Sequence, residues 1–181
     1  MRSLAIGLVM VVISALGISP AGAYSLEGLR WDNTPTSGCC AGINVQCQSA
    51  MAFIDIAGWD NARWTWNASP ANVTLYNGSG ALTVDDVSHD TVGWDGITYY
   101  AGVWCSTGTY FQYASLYLNY YYTRNYSAAT IQGVAAHELG HAIGLAHTDG
   151  CVLMTPYTNT RDSCGIYGPY QDDVNGVNAL Y

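Results

Sequence analysis

The stretch SAATIQGVAAHELGHAIG, residues 127–144, constrains this 181-residue chain more than any other. Ser127 is a good helix N-cap, and residues 128–143 are good helix formers apart from Gly133 and Gly140. Glu138 is its only acidic side chain, and it contains no lysine or arginine. A helix that is apolar nearly all round is a buried helix, so the rest of the chain must wrap around it. A lone ionised carboxylate inside such a helix costs several kcal/mol unless something pairs with it.

A partner is legible on the same helix. His137 and His141 stand four residues apart, so both imidazoles project from one face and can grip one metal ion. Glu138 is rotated from His137 by roughly 100°, which sets its carboxylate beside such an ion rather than on it. Gly144, without a Cβ, can take the left-handed turn that ends a helix, and the reversed chain can bring up His147 as a third ligand. Three neutral imidazoles suit zinc. The alternative for each histidine is a satisfied core residue, but that leaves the Glu138 carboxylate uncompensated. The fourth histidine, His89, lies far off in VSHDTVGWDG, and nothing near the cluster offers an obvious fourth ligand. Three protein ligands and an open position mark catalytic zinc. Zinc lowers the pKa of its water towards ~7. Glu138 can then take that proton and pass it to a leaving amine, which makes the expected reaction peptide-bond hydrolysis on a protein or peptide substrate. A different class of protein keeps the metal only for its fold: a secreted, zinc-stabilised binding module without proteolytic activity, marked by a fourth protein ligand.

Composition narrows the setting. Residues 1–23 carry one positive charge at Arg2, an apolar run from Leu4 to about Ile18, and small residues at Ala21 and Ala23. That pattern is expected of a secretory signal peptide cleaved before Tyr24, with a single catalytic domain over 24–181. The run is shorter than the ~20 apolar residues that span a bilayer. Export makes disulfides the default for the six cysteines, and Cys151–Cys164 is the expected pair, since both fall between the histidine cluster and the last helix. The chain has no lysine; beyond residue 23, four arginines face thirteen acidic residues. A net charge of −8 without basic clusters argues against nucleic-acid binding, and no amphipathic basic helix argues for a membrane role. A secreted, extracellular monomer is expected. Asp85, Asp86, Asp90 and Asp95 could bind calcium, or form a solvated acidic loop.

Along the chain, residues 24–42 read as an extended arm and Asn44 to about Trp59 as a helix, from Cys47, Ala50, Met51 and Ile54 at helical spacing. RWTW (63–66), ALTVDD (81–86), ITYYAGVWC (97–105) and ASLYLNYYYT (114–123) read as strands, the last with Leu116, Leu118 and Tyr120 on one face and Tyr117 and Tyr121 on the other. An irregular loop and a final helix with Val174, Val177 and Leu180 on one side complete an α+β domain.

HELGHAIGLAH has the H-E-x-x-H-x-x-G-x-x-H pattern of the metzincin metallopeptidases, complete at every specified position. Met154, seven residues after His147, resembles the family's Met-turn methionine. VLMTPY, QDDVNGVNALY and YSLEGLRW resemble stretches of the matrixin branch, in particular its small secreted bacterial members. The resemblance implies a metzincin-like catalytic domain: a twisted, mostly parallel sheet with one antiparallel edge strand, a buried active-site helix, a Met-turn and a C-terminal helix. Substrate would add a strand along that edge, assigned to 97–105. The resemblance further implies that Asp173 bonds beneath the Met-turn, that Asp172 receives the Tyr24 ammonium, and that Pro156 and Tyr157 wall a substrate pocket. Pro156-Tyr157-Thr158 departs from the family's Pro-x-Tyr, so the shape of that wall does not carry over. The second zinc site of animal matrixins needs three more histidines, and only His89 remains. No counterpart of the family's propeptide is expected between Ala23 and Tyr24; Cys39 or Cys40 could substitute, though disulfide bonding is their expected role.

Overall fold

The computed structural model describes residues 24–31, 44–47, 53–105 and 108–181. The expected signal peptide, most of the turn-rich arm beyond Trp31, and Cys39 and Cys40 lie outside them. The main sheet has the order β3 (Tyr76–Asn77), β2 (Asn44–Cys47), β4 (Leu82–Val87), β6 (Gly108–Asn119), β5 (Gly96–Cys105). The first three pairings are parallel, and β5 closes the edge antiparallel to β6. A separate ribbon pairs β1 (Ser25–Leu26) with β7 (Leu145–Ala146) antiparallel.

Alternation sorts the sheet into two faces. Leu82, Val84, Ala114, Leu116 and Leu118 are fully buried, whereas Thr83, Ser115 and Tyr117 between them stay partly open. α3 (Ala128–Ala142) packs against β5 and β6, and α1 (Phe53–Ala68) packs against α3 and shares its core. The two helices approach closely at Gly58, where an added Cβ would come within 2.5 Å of Ile131. α3 is as buried as its composition demands: eleven of its fifteen residues are inaccessible, His137 and Glu138 among them. Ser127 caps it, Oγ accepting from the Thr130 N–H at 3.1 Å. The short helices α2 (Tyr120–Thr123) and α4 (Thr158–Cys164), and α5 (Gln171–Leu180), complete the domain. Among the described residues no helix is long and apolar enough to cross a membrane.

Four local expectations are corrected. Of the helix expected over 44–59, residues 44–47 are a strand held between two parallel neighbours, residues 48–52 lie outside the described residues, and α1 runs Phe53–Ala68. RWTW is helical, because Trp59, Ala62 and Trp66 recur at i, i+3 and i+7 and all bury against the core, a stronger pattern than the alternation of four residues. Trp66 also donates Nε1–H to the Ala136 carbonyl of α3 at 3.0 Å. The tyrosine-rich strand stops at Asn119, so Tyr120 and Tyr121 lie in α2 rather than on opposite strand faces. The stretch expected to be an irregular loop contains α4, ended by Gly165 at φ 68°.

Asn119 stops that strand through its side chain. It is fully buried, and its Oδ1 accepts from the His89 and Tyr121 N–H groups at 2.9 and 3.3 Å. Its Nδ2 donates to the His89 and Trp94 carbonyls at 2.8 and 3.1 Å. One amide therefore ties the 88–95 loop to the end of β6 and sets where edge strand β5 begins. Replacement Asn119→Leu keeps the volume but strands these backbone groups. It should cost about 2–3 kcal/mol, read as a lower urea midpoint with disulfides intact; an unchanged midpoint would show that the loop does not depend on this amide.

Candidate metal centre

Gly144 takes φ +102° and ends α3, where an added Cβ would strike the Leu29 carbonyl oxygen at 2.5 Å. Beyond it the chain returns through β7 and delivers His147 to the two histidines of the helix. The three Nε2 atoms form a nearly equilateral triangle, 3.2, 3.2 and 3.1 Å on a side. Nδ1 of His137 lies 2.8 Å from the Leu153 carbonyl and Nδ1 of His141 2.8 Å from that of Leu145. A carbonyl only accepts, and at His137 it is nearer than the Arg161 Nη1 at 3.2 Å, so both Nδ1 atoms are assigned the hydrogen and both Nε2 atoms present lone pairs. Lone pairs converging at this distance repel unless a cation lies between them. Zinc bonded to nitrogen at 2.0–2.1 Å would require tetrahedral edges of about 3.3–3.4 Å, so the triangle fits it. Among the described residues these histidines are the one group of three or more His, Cys, Asp or Glu ligand atoms within 4.8 Å of one another. His89 lies apart against Trp94, and Asp85, Asp86, Asp90 and Asp95 are in no such group.

Electrostatics agree with a cation at the triangle. Burial, then the nearby Arg161 charge, holds His137 well below the usual imidazole range; burial lowers His147. Burial pulls His141 down as well, but the Glu27 hydrogen bond and the Glu138 charge outweigh it and raise the group overall. The surroundings of His141 therefore favour positive charge, and those of His137 and His147 disfavour protonation. Burial pushes the Glu138 carboxyl up against the His141 charge and the Thr98 hydroxyl, which donates to Oε2 at 2.6 Å.

Glu27 escaped the sequence reading. Its Oε1 lies 3.3 Å from His141 Nδ1, and its Oε2 accepts from the Tyr100 hydroxyl at 2.7 Å. The β1–β7 ribbon brings it there, with the Glu27 N–H bonded to the Gly144 carbonyl at 2.9 Å. The available signal was scarcity: it is one of two glutamates in the chain.

Met154 is buried against α3, where an added Cβ on Gly140 would meet its Sδ at 2.4 Å. Asp173 accepts from the Leu153 and Met154 N–H groups, each at 3.2 Å, and from the Tyr170 N–H at 2.8 Å. Asp172 accepts from the Tyr24 backbone N–H, and its Oδ2 has no hydrogen-bond partner among the described residues. Cys151 and Cys164 are disulfide-bonded, Cα atoms 5.7 Å apart, and bracket the segment that carries Met154, Pro156 and Tyr157. Pro156 and Tyr157 form one bank of a cleft of about 410 Å³, with residues 93–98 of the β5 side as the other. The three histidines, Glu138, Glu27 and Arg161 line the same cleft.

The sequence is similar to that of known proteins. A family model described as matrixin, of the M10 peptidases, covers residues 58–181. Matrix metalloproteinase-20 of Homo sapiens is 53% identical over 49 residues, 26% of this chain and 10% of that protein. Interstitial collagenase of Sus scrofa is 44% identical over 62 residues, 33% of this chain and 12% of the other. Stromelysin-1 of Equus caballus is 42% identical over 62 residues, 34% and 13% of the two chains. The aligned part thus spans about a tenth of the length of these curated relatives. With the family model covering most of its length, the chain belongs to the matrixin family of peptidases.

Proposed function

We propose that this protein is a secreted zinc endopeptidase in which His137, His141 and His147 hold the ion and Glu138 is the general base. The observation that carries the reading is the triangle of Nε2 atoms with a buried carboxylate in the same cleft. Zinc, when bound, supplies a Lewis acid that polarises the scissile carbonyl and makes water acidic enough to lose a proton near neutral pH.

The chain's own groups do the rest. Substrate lies extended along the antiparallel edge strand β5, its backbone bonding to the strand's free side. Glu138, oriented by Thr98, accepts a proton from the attacking water as the new C–O bond forms. It then delivers that proton to the amine as the C–N bond breaks. The open cleft side admits the peptide; the Pro156–Tyr157 bank confines it. Met154 and its neighbours act as the Met-turn, a packed floor under the histidines, and Asp173 fixes that turn. Cleavage before Tyr24 would place an ammonium beside Asp172, whose second oxygen is free to accept it. Calcium binding has no comparable support in the geometry.

Two variants test these roles. Glu138→Gln keeps the ligands and removes the base: zinc content should stay near one ion per chain while casein hydrolysis falls by about 10²–10⁴-fold. Digestion at the wild-type rate would sink the mechanism, and a fourth protein ligand seen by X-ray absorption would favour the zinc-stabilised binding module instead. Asp173→Asn offers an N–H where backbone N–H groups must be accepted. Through the Leu153 carbonyl it should loosen His137 and weaken zinc binding by about tenfold or more, measured by chelator competition. Unchanged affinity would show that the turn holds without that carboxylate.

A further inference from the structure

We propose that Arg161 makes the cleft select substrates that carry an acidic side chain on the residue following the scissile bond. The inference rests on the proteolytic reading and adds to it the identity of the side chain recognised.

Arg161 comes from α4, and its side chain is 2% exposed, yet it borders the cleft. Nη1 donates to the Thr155 carbonyl at 2.7 Å and Nη2 to the Thr158 hydroxyl at 2.6 Å. Nε is buried and has no hydrogen-bond partner among the described residues. Nor does any carboxylate there come within 4.0 Å of the guanidinium. The acids whose charge reaches it also bond elsewhere: Asp95 accepts from the Tyr126 hydroxyl at 3.0 Å, Glu138 from the Thr98 hydroxyl at 2.6 Å, and Asp162 from the Thr130 hydroxyl at 3.2 Å. A buried guanidinium with an unused donor and no contacting counterion is costly to keep. A carboxylate entering from the cleft would remove that cost, and the planar fork of arginine suits it.

Position assigns the side chain. Nη1 lies 3.2 Å from Nδ1 of His137, and the bonded Thr155 carbonyl directly precedes the Pro156 bank. Glu138 returns its proton to the leaving amine, so the residue carrying that amine lies on the Glu138 side, above this floor. Glu27 and Tyr100 occupy the cleft beyond His141, where a second acidic group would be repelled. Among the described residues lining the cleft Arg161 is the one arginine and there is no lysine, so the selectivity should be local to one substrate position.

Cleavage-site profiling of the zinc-loaded full-length protein on a library of proteome-derived peptides tests this. Only cuts at least two residues from a peptide's C-terminus are counted, so that a terminal carboxylate cannot imitate the side chain. Asp and Glu together should be enriched about fivefold or more immediately after the cut. Arg161→Met should reduce that enrichment to about one, and Arg161→Lys should retain part of it. In Glu138→Gln protein, fluorescence anisotropy should show tighter binding of a peptide with Glu at that position than of its Gln twin. Should Arg161→Met fail to fold, the wild-type profile and the anisotropy pair still decide. Cleavage without acidic enrichment would overturn the role of Arg161 and leave the protease intact; no cleavage of any library peptide or of casein would overturn the protease itself.

Discussion

The carboxylate of Asp173 organises the site from behind. It is 1% exposed and collects three backbone N–H groups, from Tyr170 at the start of α5 and from Leu153 and Met154 in the turn under α3. Burial raises this acid, and the three donors oppose that rise. With the turn fixed, the Leu153 carbonyl is fixed, and with it the ring and tautomer of His137. A hydrogen bond from the last helix thereby determines which nitrogen of a metal ligand presents its lone pair.

His141 is held by equivalent means from the opposite end of the chain. The Leu145 carbonyl sets its tautomer, while β1, paired to β7, delivers Glu27 to the same Nδ1. Trp31 secures that arm by donating Nε1–H to the Ala142 carbonyl at 2.7 Å. The first described segment and the last helix therefore meet at the metal centre. Loosening either should move a ligand as well as lower stability, because the packing that buries α3 is the packing that aims its histidines.

How much of this was legible in the sequence followed the range of the interactions. The α3 helix, its Ser127 cap, its Gly144 stop and the three histidines depend on neighbours in sequence, so residue type and spacing sufficed. The β5 edge assignment rested on family resemblance and is where the structure has it. Residues 63–66 misled because four alternating residues satisfy a strand, and only the distant surface of α3 makes Trp59, Ala62 and Trp66 a helical stripe. Tyr120 and Tyr121 misled because Asn119 ends the strand through bonds to His89 and Trp94, some thirty residues away. Glu27 and Arg161 reach the cleft by tertiary pairing and by a short helix that local pattern did not announce; no motif surrounds either.

The metal and the base are coupled through the same burial. In the protein's own field Glu138 is pushed towards the neutral form, chiefly by loss of water. A neutral carboxyl cannot act as a base. A divalent ion held by the three histidines would favour the ionised form, as any near positive charge does. The hydrophobic helix thus makes the carboxylate costly, and the ion relieves the cost at the location where the base is needed. A polar helix would have ionised Glu138 without metal and left it solvated. Burying α3, which first constrained the fold, is also what ties the activity of Glu138 to occupation of the histidine triangle.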